Sequence, residues 1–195
     1  MLDACVNLES IRAPKNIAES PDFDILLFGY AYDDEPAQCI DLAQGEELPG
    51  NILQDLFNPE VLKTAYNANF ELTCISQWLK RKTLFGSPWP DLDRNQWSCT
   101  AVMASELGLP RSLADVGAAI GLPEEQQKLK TGKALIRFFS IPCAPTKTNG
   151  GRTRNLPEHD LERWKLYKEY NVGDVITERA IRKRLERFQI DPSEH

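Results

Sequence analysis

Three residues carry the sharpest chemical suggestion in this chain: Glu71, Tyr170 and Asp174. Tyr170 and Asp174 lie four apart in a segment of helical periodicity, so they share one face of a helix. Glu71 follows a short β-branched and apolar run, Val61–Tyr66, and a break at Asn67-Ala68-Asn69. With Asn69 as N-cap, Glu71 falls in the first turn of a helix that starts where a strand ends. That is where α/β folds place their sites. The helix dipole favours an acid there by about 0.3–1 kcal/mol, which is by itself sufficient reason for one. Carboxylate oxygens are also the hard ligands that Mg²⁺ and Mn²⁺ prefer. Two such ions about 3.5–4 Å apart can activate a water and stabilise the leaving oxygen of a phosphodiester. A phenol beside them could orient that water. Spacing alone leaves this reading and a solvated helix face both open.

A second candidate is charge without counter-charge. Lys128, Lys130, Lys133, Arg137, Lys147, Arg152 and Arg154 follow one another with no Asp or Glu among them, and Phe138 and Phe139 are interleaved. In a chain of net charge −6, a segregated basic stripe suits a phosphate-contacting surface. An ordinary solvated loop and helix face is the even alternative.

The elements that must position these groups can be read in outline. Asp24–Tyr32 is a buried strand, and Ala37–Leu42 returns beside it across the turn Asp33-Asp34-Glu35-Pro36. Ile52, Leu53, Leu56 and Phe57 form a helical stripe. The strand and helix of Val61–Leu79 follow, then a loop over Lys80–Gln96. From Trp97 the pattern is helical: one helix to Leu109, one capped by Ser112, and a short one carrying Leu135–Phe139. Residues 141–157 form an exposed loop rich in Pro, Gly, Thr and Asn, and Asp160 caps a long helix over Leu161–Phe188. Strands first and helices later predict an α/β or α+β domain with a small sheet.

Composition narrows the class. At 195 residues the chain suits one domain. It shows no apolar run long enough for a bilayer and no charged-then-apolar leader, so a soluble cytoplasmic protein is expected, without a membrane partner. Its five cysteines are scattered, with no Cys-x-x-Cys, and His159 and His195 have no ligand partners nearby, which argues against a zinc site or disulfide framework.

Asn67-Ala68-Asn69-Phe70-Glu71 resembles the second motif of the proofreading 3′–5′ exonucleases, Asn-x-x-(Phe/Tyr)-acid, and Tyr170-Asn171-Val172-Gly173-Asp174 resembles the third, Tyr-x-x-x-Asp. Trp97-Ser98-Cys99-Thr100 with Leu107–Leu113, Ala18–Phe23, Gln127–Ile136 and Asn149–Pro157 are similar to other stretches of the same proteins. The set resembles the N-terminal exonuclease domain of phage-type family A DNA polymerases, of the DnaQ-like, ribonuclease H-like superfamily, over about residues 18–188. The resemblance implies a ribonuclease H-like mixed sheet flanked by helices. It implies two Mg²⁺ or Mn²⁺ ions held by four acids, here including Glu71 and Asp174, with Tyr170 orienting water. Its substrate would be a single-stranded DNA 3′ end, contacted by Asn67, Phe70, Lys147, Arg152 and Arg154, in DNA replication.

Three departures qualify that. The second motif ends in Glu71 where the family has Asp. No Asp-x-Glu first motif precedes Ala18; Asn7-Leu8-Glu9 is its nearest approximation, and Asn7-Leu8 also aligns with a later segment, which favours a missing first strand. No polymerase motifs follow, so residues 1–195 read as a single exonuclease-like domain shortened at both ends, with a divergent start over 1–17. A separate polymerase chain is then a conceivable partner. Two functions stay open: an exonuclease of impaired activity, and an inactive prophage remnant that keeps a single-stranded nucleic-acid-binding surface.

Overall fold

The run Ile25–Tyr32 sorts its side chains by parity, as a strand covered on both faces must. Phe28, Tyr30 and Tyr32 face Ile52, Asp55 and Leu56, with the Tyr32 hydroxyl donating to Asp55 Oδ2 at 2.6 Å. Leu27, Gly29 and Ala31 face the other way, toward Tyr170, Asn171 and Val175. The sheet is therefore a layer between two sets of helices, and the candidate acid-bearing helix lies on its small-residue side.

The computed structural model describes residues 23–82, 89–123 and 132–188 in full, and residues 2–10, 83–84 and 87–88 by their backbone. In chain order the strands and α-helices are β1 (Leu2–Ser10), β2 (Ile25–Tyr32), β3 (Gln38–Asp41), α1 (Gly50–Phe57), β4 (Val61–Ala65), α2 (Ala68–Lys80), β5 (Thr83–Leu84), β6 (Ser87–Pro88), β7 (Trp97–Cys99), α3 (Thr100–Glu106), α4 (Leu113–Ala119), α5 (Gly132–Phe139) and α6 (Leu161–Leu185). The main sheet runs β3-β2-β1-β4-β7, and β5 and β6 form a separate small ribbon. β1 pairs antiparallel with β2 and parallel with β4, and β4 pairs parallel with β7. This is the mixed sheet flanked by helices that the resemblance implied. One core packs α1 and α2 on the sheet through Ile52, Leu56, Leu72, Ile75 and Leu79. A second packs α5 and α6 on the opposite face through Leu135, Phe139, Trp164, Tyr167 and Tyr170. A third joins α3 and α4 to the C-terminal half of α6.

Several boundaries differ from expectation. The first strand is not missing: Leu2–Ser10 is β1, at the centre of the sheet. A strand's place depends on its backbone ladder, and that ladder does not require the motif's aspartate. The N-cap of α2 is Asn67, not Asn69, and its carbonyl accepts from the N–H groups of Phe70 and Glu71. Trp97–Cys99 is a strand, not a helix start; three residues are too few to show a period, and pairing with β4 decides. The caps by Ser112 and Asp160 hold as read, with Ser112 Oγ accepting from Asp115 N and Asp160 Oδ1 from Arg163 N. Among the described residues, no helix is long and apolar enough to cross a membrane.

Two buried charged side chains tie the layers. Lys63 donates to Asn58 O, Val61 O and Gln96 Oε1 at 2.9, 2.9 and 2.6 Å, which satisfies an ammonium whose pKa burial pushes down. Asp41, at the end of β3, accepts from Trp164 Nε1 at 2.7 Å and pairs with Lys168 at 3.2 Å, anchoring the first turns of α6 to the sheet. Removing that carboxylate strands a buried indole N–H. Asp41→Ala should lower unfolding free energy by about 2–3 kcal/mol in urea denaturation, and Asp41→Asn by clearly less, since an amide oxygen still accepts.

Candidate functional site

Glu71 and Asp174 are each 4% exposed and Tyr170 is 1% exposed, so none of the three is a surface decoration. Tyr170 and Asp174 share the sheet-facing side of α6, as their spacing predicted. This stretch of α6 comes close to the sheet at Gly29, which lies against Asn171 and Val175 and is the ladder partner of Asn7. Glu71 sits in the first turn of α2, just past the end of β4. The bodies of α2 and α6 cover opposite faces of the sheet. Both helices touch β1. β1 pairs with β4 only over Leu2–Cys5, so its remaining half, with Asn7 and Glu9, runs on past β4 beside the turn into α2.

Residues 99–101 hold these two halves together. The carbonyl of Tyr66, in the turn before α2, accepts from Ala101 N at 2.9 Å and from Cys99 Sγ at 3.4 Å. Between them, the buried Thr100 hydroxyl donates to Glu178, a carboxylate one helical turn beyond Asp174. Tyr66 also reaches Arg111 O, and burial, with Cys99 and Asp115, pushes its phenol up to about 12. The start of α3 thus positions the turn that carries Glu71 and the face of α6 that carries Asp174.

The basic tract is brought only partly to this place. Lys128 and Lys130 lie outside the described residues. Gly132, the first residue of α5, packs on the Tyr170 ring, so Lys133 begins close to the candidate site, exposed. The two phenylalanines do not offer free faces: Phe139 is core, and Phe138 packs edge-on to it beneath the Arg163 guanidinium. The 141–157 loop is exposed as expected but internally bonded. Asn149 accepts from Thr146 N and Gly151 N, and donates to Ala144 O and Arg152 O. Arg152 spends its guanidinium on Asn155 Oδ1 and Asn149 O, so it shapes the loop; Lys147 is exposed at its tip and Arg154 is half-buried. Asn67 is exposed and Phe70 half-buried at the start of α2.

Reading the sequence missed Glu178, Thr100, Gly29 and Gly132. Glu178 carried a signal, since it continues the Tyr170–Asp174 face by four residues. The partners across the fold carried none. Thr100→Val should leave the buried Glu178 carboxylate without this donor and lower stability by about 1.5–3 kcal/mol in urea denaturation, whereas Thr100→Ser should stay near the parent.

No family model matches the chain. The DNA polymerase of Bacillus phage SP02 is 52% identical over 177 residues, covering 91% of this chain and 26% of that polymerase. The chain thus spans about a quarter of that relative's length. Among solved structures, NrnC of Brucella melitensis, including a form with bound Mg²⁺, matches at TM-score 0.58 and 13% identity over 95% of this chain and 72% of that one. A structure described as the apo form of the nuclease matches at the same values. The chain is a relative of a phage DNA polymerase across nearly all its own length, built on the ribonuclease H-like fold of these nucleases.

Proposed function

We propose that this is the 3′–5′ exonuclease-like domain of a phage-type DNA polymerase, directed at single-stranded 3′ ends, with impaired hydrolysis. The observation that carries the reading is the burial of Glu71, Tyr170 and Asp174 on two helices that both touch β1. The 52% identity to a phage polymerase supports the family, and the Mg²⁺ seen in a nuclease of this fold supports the metal.

Glu71 and Asp174 offer hard oxygen donors, which suit Mg²⁺ or Mn²⁺. Among the described residues no three His, Cys, Asp or Glu are grouped for a metal, so these two need further donors from β1. A bound ion would supply Lewis-acid polarisation of the scissile phosphate and of water. Tyr170, held rigid in the second core, orients the attacking water by its hydroxyl. Asn67 and Phe70, at the rim of α2, contact the terminal nucleotide. Lys147 and Arg154 neutralise phosphates of the incoming strand while Arg152 holds their loop in shape. Impairment follows from Asn7: a neutral amide at the first-motif position does not balance ionic charge as a carboxylate does, and Mg²⁺ releases its waters reluctantly. The second reading, an inactive remnant that binds single strands, is favoured by the same residue.

Digestion of a 3′-terminal single strand with Mn²⁺ separates the two. The parent should digest slowly or not at all, and Asn7→Asp should gain at least tenfold, a gain abolished by adding Asp174→Ala. Binding without digestion in both parent and Asn7→Asp would leave the remnant reading. For the strand surface, Lys147→Ala with Arg154→Ala should reduce the slope of log affinity against log salt by about 1–2; an unchanged slope removes the loop from the interface.

A further inference from the structure

We propose that Gly29 and Gly132 are positioning residues for the acid-bearing turn of α6, Gly29 from the sheet and Gly132 from α5; the inference rests on the nuclease reading and deepens it. Gly29 sits mid-strand between Cys39 and Asn7. An interior strand position ordinarily disfavours glycine, and one there marks a close approach of other atoms. A Cβ at Gly29 would lie 3.0 Å from both Asn171 Cγ and Val175 Cγ2, and would overlap Asn171 Oδ1. Asn171 is fully buried, which leaves its amide little room to swing away.

Gly132 meets the same turn from outside. A Cβ there would lie 2.5 Å from Tyr170 Cδ2 and closer still to the rest of the ring edge. The ring has no retreat. It stacks on Tyr167 at 6.3 Å, and Tyr167 stacks on Phe139 at 5.3 Å. The Tyr167 hydroxyl is fixed by Ser140 Oγ at 2.7 Å. Phe139 and Gly132 are the two ends of α5, so this one short helix brackets the stack.

Asp174 is one residue before Val175 and four after Tyr170. Whatever lifts or rotates this turn moves its carboxylate too. A helix displaced by a methyl group exceeds the few tenths of an ångström that ion coordination tolerates. Glycine at both contacts therefore lets α6 sit close enough to the β1–β2 ladder for Asp174 to serve beside Glu71.

The test is Mn²⁺ binding by calorimetry to the full chain, at a temperature where each variant is folded by circular dichroism. Gly29→Ala should weaken binding at least fivefold relative to the parent. Adding Asn171→Ala, which clears most of the space, should bring it within twofold of Asn171→Ala alone. Gly132→Ala should weaken binding likewise, and the effect should largely vanish in a Tyr170→Ala background. Variants that lose melting temperature yet bind Mn²⁺ as the parent does would make both glycines packing residues only and overturn the proposal. Should Gly132→Ala fail to fold, the Gly29 and Asn171 pair decides alone. A parent that binds no Mn²⁺ favours the remnant reading, and the same series is then read in the Asn7→Asp background; no binding there either removes the nuclease reading and overturns this proposal with it.

Discussion

The candidate site depends on three consecutive residues that bear none of its chemistry. At Cys99, Thr100 and Ala101 the chain leaves β7 and enters α3, and alternate groups point to two different partners. Cys99 and Ala101 hold the carbonyl of Tyr66, and with it the turn that delivers Glu71. Thr100 holds Glu178, and with it the α6 face that carries Asp174. A hydrogen bond to a buried carboxylate is stronger than a neutral one and costly to leave unmade, so it serves as a strut between α3 and α6. The order of strands makes this strut possible. β7 pairs with β4, so the segment following β7 emerges beside the segment following β4.

The other constraint is how α6 is seated. It spans 25 residues and is fixed along its length by chemically different contacts. Asp41 receives Trp164 and Lys168 near its start; the aromatic stack with α5 holds its middle; Thr100 and the third core hold its later turns. A helix pinned at several points has little freedom to rotate, and a carboxylate on its inner face inherits that precision. On the opposite layer, α2 is held by Leu72, Ile75 and Leu79 while its first turn projects past the end of β4. The acids thus lie on separately anchored helices that meet at β1. That arrangement suits a site which must keep its geometry.

Charge is divided along the same lines. Glu71 and Asp174 are buried, and the described basic residues of the 133–154 tract are exposed or half-buried on α5 and in the loop beyond it. The loop is not a loose strap. Asn149 gathers the backbone of its two arms, and Arg152 is used internally, which leaves Lys147 exposed at the tip. In the strand binding proposed above, rigid display of a few cations would lower the ordering entropy, which offsets the weakness expected of a chain with net charge −6.

What the sequence determined is what local chemistry controls. Tyr170 and Asp174 had to share a face because a helix repeats at 3.6 residues; Ser112 and Asp160 had to cap because their side chains reach the next turn's N–H groups. The motif order around Glu71 and Asp174 was enough to imply the ribonuclease H-like sheet. Tertiary structure decided the rest, for identifiable reasons. Leu2–Ser10 became the central strand because β2 and β4 both offer it a ladder, although its sequence lacks the motif's aspartate. Trp97–Cys99 became a strand through pairing with a segment more than 30 residues away. Phe139 and Arg152 were drawn from an apparent binding stripe into the core and the loop scaffold, by partners that no local pattern names. Gly29 and Gly132 acquired meaning only when α6 came down against them, because the space a methyl group would need is a property of two segments brought together and not of either alone.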